Sequence, residues 1–247
     1  MNKTKIDWAD STWNPVTGCL NDCPYCYAKK ISTRFDAHFF ADKPKVLKFP
    51  MRSNQGIIYP YPYGFTPTFH RYRLDEPAQK KKPQNIFVCS MADLFGDWVP
   101  ISWIKDVLTA CYKAPWHNYL FLTKNPQRLI DMGKQGLLPA KENYWYGTTI
   151  TDDATPFFYS EAHNCFLSIE PLMGAFGEDG KLPPAIKWVI IGAETGNRKG
   201  KVIPQKEWIE SIVDVCRDFG TPVFMKESLR ELMGDDSKQE FPEGLKR

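Results

Sequence analysis

Short apolar runs of about five residues recur along the chain, and the stretches between several of them are long enough for a helix. β-Branched and aromatic content with polar or Gly/Pro boundaries predicts strands at Trp13–Thr17, Asn85–Ser90, Tyr119–Thr123, Tyr144–Ile150, Cys165–Ile169, Trp188–Gly192 and Pro222–Met225. Helices are expected at Tyr27–Phe35, Ile101–Ala114, Pro126–Gln135 and Gln205–Phe219. The last has the clearest signals: Pro204 precedes it, apolar residues recur at Trp208, Ile209, Ile212, Val213, Val215 and Cys216, and Gly220 marks its stop. Alternating strands and helices predict an α/β fold with a parallel sheet. About six to seven parallel strands suit a partial, open TIM-type barrel, in which chemistry belongs at the carboxyl ends of the strands.

From about 41 to 84 the rhythm breaks. Seven prolines from Pro44 to Pro83 and an aromatic run from Ile57 to Tyr63 leave no period, so this segment reads as an insertion or lid on a single domain spanning 1–247. A chain of 247 residues with 43% hydrophobic content can bury a sizeable core. No apolar run reaches membrane-spanning length and the first residues lack a signal peptide's apolar stretch, so a soluble, cytoplasmic protein without membrane contact is expected. An odd count of seven cysteines argues for reduced thiols and against a disulfide framework. The net charge of +3 is too small to declare a nucleic-acid protein. Locally, Arg71 and Arg73 among Phe69, His70 and Tyr72, with Lys80–Lys82 beyond, form a basic aromatic stretch that reads first as a solvated loop with ordinary surface charge, and otherwise as one that can touch phosphates and stack bases.

Candidate chemistry begins with Cys19, Cys23 and Cys26, spaced C-x3-C-x2-C, with no further cysteine until Cys89. A cubane iron–sulfur cluster is normally held by four thiolates, so three leave one iron open to bind something reactive. The alternative is structural zinc, which needs four ligands and would have to reach His38 or His70 for the fourth. The remaining cysteines, Cys89, Cys111, Cys165 and Cys216, stand in apolar surroundings and read as small buried hydrophobes. Nearly every predicted strand is followed by a polar group: Ser90 and Asp93, Thr123 and Lys124, Thr149 and Thr151, Ser168 and Glu170, Glu194, then Lys226 and Glu227. Such a set at one end of successive strands reads as a lined site, although caps and turns favour some of the same residues. For Lys124, Glu170 and Lys226 the competing reading is mutual ion pairing in the barrel mouth.

The cysteine spacing, with Tyr25 just before the last thiol, resembles the signature of the radical S-adenosylmethionine enzymes. That resemblance implies a [4Fe–4S] cluster on Cys19, Cys23 and Cys26, S-adenosyl-L-methionine chelated at the open iron, and reductive formation of a 5′-deoxyadenosyl radical. It places Tyr25 near the adenine and implies a low-potential electron donor such as a flavodoxin or ferredoxin. Longer stretches extend the likeness over most of the chain: Asp10–Pro15 leading into Thr17-Gly18-Cys19, Ser90–Phe95, Leu122–Lys124, Leu167–Leu172, Ile191–Gly196 and Val223–Lys226. These are similar to a bacteriophage-associated family of three-cysteine-motif, radical-SAM-like proteins. Two departures stand out. Ser90-Met91-Ala92-Asp93 occupies the place of a Gly-Gly-Glu-Pro-like turn, with Ser90 and Asp93 as substitute acceptors for the methionine ammonium, and Gly192-Ala193-Glu194-Thr195-Gly196 replaces Gly-Gly-Glu-Ser-Gly. Glu194 joins the cofactor site by this resemblance and Lys124, Ser168 and Glu170 by their strand-end places, while Lys226, Arg71 and Arg73 are candidates to face a substrate, a nucleotide or nucleic acid undergoing modification or repair, with a peptide or small metabolite as the alternative. The other class of reading is a non-catalytic iron–sulfur or zinc protein that binds nucleic acid or senses redox state.

Overall fold

Apolar runs such as Ile-Phe-Val at 86–88 and Trp-Val-Ile-Ile at 188–191 have no polar alternate face, so the strands they form must be covered on both sides. A computed structural model describes residues 1–37, 39–176 and 183–245, grouped in two compact units, Met1–Asn125 and Pro126–Arg247. In the first unit, β1 (Asn2–Lys3) pairs antiparallel with β2 (Ser11–Trp13). There follow β3 (Val16–Thr17), α1 (Tyr27–Arg34), β4 (Lys45–Leu47), β5 (Thr68–His70), α2 (Glu76–Gln79), β6 (Asn85–Val88), α3 (Ile101–Tyr112) and β7 (Asn118–Thr123). Strands β2, β6 and β7 run parallel with Trp13, Val88 and Phe121 in register. Helix α3 buries Ile104, Val107 and Cys111, and its Trp103 stacks on Phe69 of β5 at 5.1 Å.

The strand expected over Trp13–Thr17 is two strands. Pro15 has no N–H to continue the ladder, and its carbonyl instead accepts from the His70 backbone at 2.7 Å, which sends β3 into a separate sheet of order β3-β5-β4. The stretch expected as an insertion therefore supplies two strands of that small sheet, a 3₁₀ turn at Arg71–Arg73 and helix α2. Each is three or four residues long, too short to carry a period.

In the second unit, α4 (Pro126–Lys134) precedes β8 (Tyr144–Ile150), β9 (Asn164–Ile169), β10 (Ile186–Ile191), α5 (Lys206–Asp218), β11 (Val223–Met225) and α6 (Arg230–Met233). The four strands are parallel in chain order, and Ile150, Ile169, Ile191 and Met225 share one register line at their carboxyl ends. Helix α5 buries Ile209, Ile212 and Cys216 as its spacing predicts, and Gly220, at φ +65°, lies just past its cap. Mostly parallel strands alternating with helices, four in the larger sheet of the first unit and four in the second unit, make this the expected α/β class and are consistent with a partial TIM-type barrel. Among the described residues no helix is long and apolar enough to cross a membrane.

His70 is fully buried at the base of the first unit's smaller sheet, with Nε2 2.8 Å from the Thr17 hydroxyl and Nδ1 3.2 Å from that of Tyr72. Burial, reinforced by the charge of Arg73, pushes its pKa down to about 2. The unfolded chain takes up a proton near pH 6.5 that the native state refuses, so stability is complete above that pH and is lost as pH falls. The expected loss from this residue is about 2 kcal/mol between pH 7 and pH 5, at about 1.4 kcal/mol per pH unit below 6.5. Urea unfolding of the parent and of His70→Gln at both pH values isolates this contribution from the carboxylates, and a substituted protein with the parent's pH dependence would contradict it.

Candidate cysteine-loop site

Gly18 launches the cysteine loop. Its φ is +86°, and a Cβ there would sit 2.5–2.6 Å from backbone atoms of Thr66 and Phe65, so any side chain would push the loop off its base. Backbone bonds fix the exit: Gly18 N–H donates to the Met91 carbonyl at 2.9 Å and Cys19 N–H to that of Phe65 at 3.1 Å. Cys19, Cys23 and Cys26 are all partly exposed, whereas Cys89, Cys111, Cys165 and Cys216 are buried. Two of the three sulfurs accept backbone N–H groups, Cys19 Sγ from Asn21 at 3.5 Å and Cys26 Sγ from Lys29 at 3.3 Å. The second contact makes Cys26 the N-cap of α1, where unpaired amides favour negative charge. Burial pushes the Cys19 thiol up to about 12, helped by Asp93 and the other two thiols, and burial also raises Cys23 against the lowering influence of Lys124. The Lys124 ammonium lies 5.5 Å from the centre of the Tyr25 ring. Among the described residues no three His, Cys, Asp or Glu side chains are gathered as ligands of a single metal ion.

Behind the loop stands Asp93, 4% exposed. Its Oδ1 accepts from the Thr123 hydroxyl at 2.7 Å and the Phe95 N–H at 3.1 Å, and its Oδ2 from the Lys124 N–H at 2.9 Å and the Asn21 amide at 3.1 Å. One carboxylate thus joins the turn after β6, the end of β7 and the cysteine loop. Desolvation raises its pKa above the ordinary carboxylate value although all four donors pull it down. Its acceptor positions are engaged by the protein, which makes it a positioning group. Ser90 is part of the same support: its hydroxyl donates to Asn14 Oδ1 at 3.3 Å, and its carbonyl accepts from the Tyr27 hydroxyl at 2.7 Å.

At the strand ends of the second unit the charges pair with one another. Lys226 bonds Glu170, and the two cross over Gly192, where a Cβ would meet Lys226 Cδ at 2.9 Å and Glu170 Cγ at 3.3 Å. Glu194 is buried and receives Arg198 through two bonds, Nε to Oε1 at 2.6 Å and Nη2 to Oε2 at 2.7 Å. Ser168 is fully buried within β9, and its Oγ has no partner among the described residues. Back in the first unit, Arg71 pairs with Asp106 at 2.9 Å, and Arg73 donates to the Asn14 carbonyl at 2.9 Å while stacking on Tyr72. These two arginines are anchored in the framework. His70, considered as a fourth metal ligand, has both ring nitrogens engaged, and His38 lies outside the described residues. Sequence reasoning missed Asn21 and Asn14, whose roles rest on partners more than 70 positions away.

Two substitutions separate support from scaffold. Asp93→Ala strands the Thr123 hydroxyl and the Phe95 and Lys124 amides and is expected to cost about 3 kcal/mol in urea unfolding. Asn21→Ala removes only the tie to the cysteine loop, so it should cost about 1 kcal/mol or less while speeding modification of Cys19 by a thiol reagent. Equal stability losses, or an unchanged Cys19 rate in Asn21→Ala, would contradict this division.

No curated protein and no solved structure matches the chain. A family profile does match, over residues 3–238, and its description is "Protein of unknown function (DUF5131)". Because that match spans nearly the whole chain, the protein belongs to the DUF5131 family.

Proposed function

We propose that the chain is a radical S-adenosylmethionine enzyme whose [4Fe–4S] cluster is held by Cys19, Cys23 and Cys26. The observation that carries this reading is the sorting of the cysteines: the three with the C-x3-C-x2-C spacing share one supported, partly exposed loop, and the other four are buried. The donor set suits such a group. Thiolates that accept N–H bonds are tuned as cluster ligands, and a helix N-terminus at Cys26 with Lys124 near Cys23 offsets the negative charge that cluster binding brings. When bound, the cluster and S-adenosylmethionine supply reductive carbon–sulfur cleavage and the 5′-deoxyadenosyl radical.

The chain's own work is placement. Gly18 and the Asn21–Asp93 bond fix the loop, Lys124 holds a cation over Tyr25, and Cys26 caps the helix that follows. Taken by itself, the second unit offers both signs of charge at its strand ends through Glu170, Lys226 and Glu194, with the hydroxyl of Ser168 below, a set suited to a zwitterionic, hydroxylated ligand. The reading also requires a low-potential reductant, a flavodoxin or ferredoxin in type, and fits the likeness to bacteriophage-associated radical-SAM-like proteins.

Anaerobic reconstitution with iron and sulfide tests it. The parent protein is expected to bind about four irons, and each of Cys19→Ala, Cys23→Ala and Cys26→Ala to lose the brown chromophore, while Cys216→Ala keeps it. Reduction with S-adenosylmethionine should then release 5′-deoxyadenosine from the parent and from Cys216→Ala, and from none of the three loop-cysteine variants. Zinc without iron, or a full cluster that yields no 5′-deoxyadenosine, would overturn the proposal in favour of a binding or redox-sensing protein.

A further inference from the structure

Helix α1 leaves the cysteine loop and runs into a surface with two unusual properties. From Tyr27 to Arg52 there are seven Lys and Arg against two Asp, a surplus of five in a chain whose net charge is +3, so the remainder of the protein is net negative. The positive charge is therefore local. The same surface exposes aromatic rings that a folded domain normally covers: Phe40 is 89% and Phe49 79% accessible. They belong to one neighbourhood. Phe39, next to Phe40, packs on Tyr59 at 5.8 Å, and the Tyr59 N–H bonds the Met51 carbonyl, two residues beyond Phe49, at 2.9 Å. An isolated bridge between Asp36 and Tyr61 ties the end of α1 to the same group. Among the described residues Lys30, Arg34 and Lys48 make no ion pair.

We infer that this surface binds single-stranded nucleic acid, with Phe40 and Phe49 stacking on bases and Lys30, Arg34 and Lys48 facing phosphates. Exposed rings interleaved with unpaired cations are the requirements for gripping an unstacked strand, because every base offers a π-face and every linkage a charge. A duplex keeps its bases stacked and would leave the rings unused. Membrane insertion is disfavoured because Phe40 and Phe49 lie on irregular backbone whose N–H and C=O groups would have to leave water. The inference deepens the proposed function by naming the substrate class, and rests on that reading only for the word substrate; binding itself needs no radical.

Fluorescence anisotropy on the full, iron-reconstituted chain decides it, using a labelled oligothymidylate of about 12 nucleotides, a duplex of equal length and phosphatidylserine vesicles. The single strand should bind with an affinity that falls as salt rises, and the duplex about tenfold more weakly. Phe40→Ala and Phe49→Ala should each weaken binding about tenfold with the salt slope retained. Lys30→Ala and Arg34→Ala should each lower that slope by about 0.7. All four side chains are on the surface, so iron content serves as the control for folding. No binding at about 50 mM salt, equal binding of single strand and duplex, or capture by vesicles in place of the oligonucleotide would overturn the inference. A protein that binds the strand yet releases no 5′-deoxyadenosine would sink the radical reading alone, and the converse result would sink only this one.

Discussion

The Asp93 carboxylate is the contact on which the placement of the cysteine loop depends. It is buried, it is held by donors from three separate segments, and one of those donors, Asn21, sits between Cys19 and Cys23. A loop of eight residues carrying three thiols has no core of its own. Its ordering entropy must be offset from outside, and here a carboxylate anchored on β6 and β7 does so. The arrangement also explains why the Asp93 pKa rises despite four stabilising donors: the desolvation needed to place it behind the loop outweighs the bonds it makes there.

Charged residues elsewhere at the strand ends are divided between frameworks and sites. Glu170 with Lys226 and Glu194 with Arg198 satisfy each other, as buried or half-buried charges must. Such pairs can still present polar faces to a ligand, since each carboxylate has more acceptor positions than one cation fills. Arg71 and Arg73 are engaged as well, Arg71 in an exposed pair with Asp106 and Arg73 by one bond to the Asn14 carbonyl. Unpaired positive charge of the first unit also lies on α1 and the segment after it, where Phe40 and Phe49 are exposed.

Strands and helices long enough to carry a period were legible in the sequence almost to the residue, as at Tyr144–Ile150 and over α5, where apolar spacing and the Gly220 stop agree with the structure. Strands β4 and β5 were not, because three residues define no period and their pairing to β3 is a tertiary fact. The same distinction governs the site. Three closely spaced cysteines announce themselves, whereas the Asn21–Asp93 bond spans 72 positions and leaves no local pattern. For the basic aromatic stretch at 69–73, composition records which side chains are charged, and packing adds that Arg71 meets Asp106 and Arg73 the Asn14 carbonyl.

The central claim is that three thiolates hold a cluster with one iron left for S-adenosylmethionine. Electron paramagnetic resonance of the anaerobically reduced, reconstituted protein tests this most directly, with and without S-adenosylmethionine. The account predicts a reduced [4Fe–4S] signal whose g-values shift when S-adenosylmethionine is added, because the molecule becomes a ligand of the open iron. A full cluster signal unchanged by S-adenosylmethionine, or no iron signal in a protein that has taken up zinc, would contradict it.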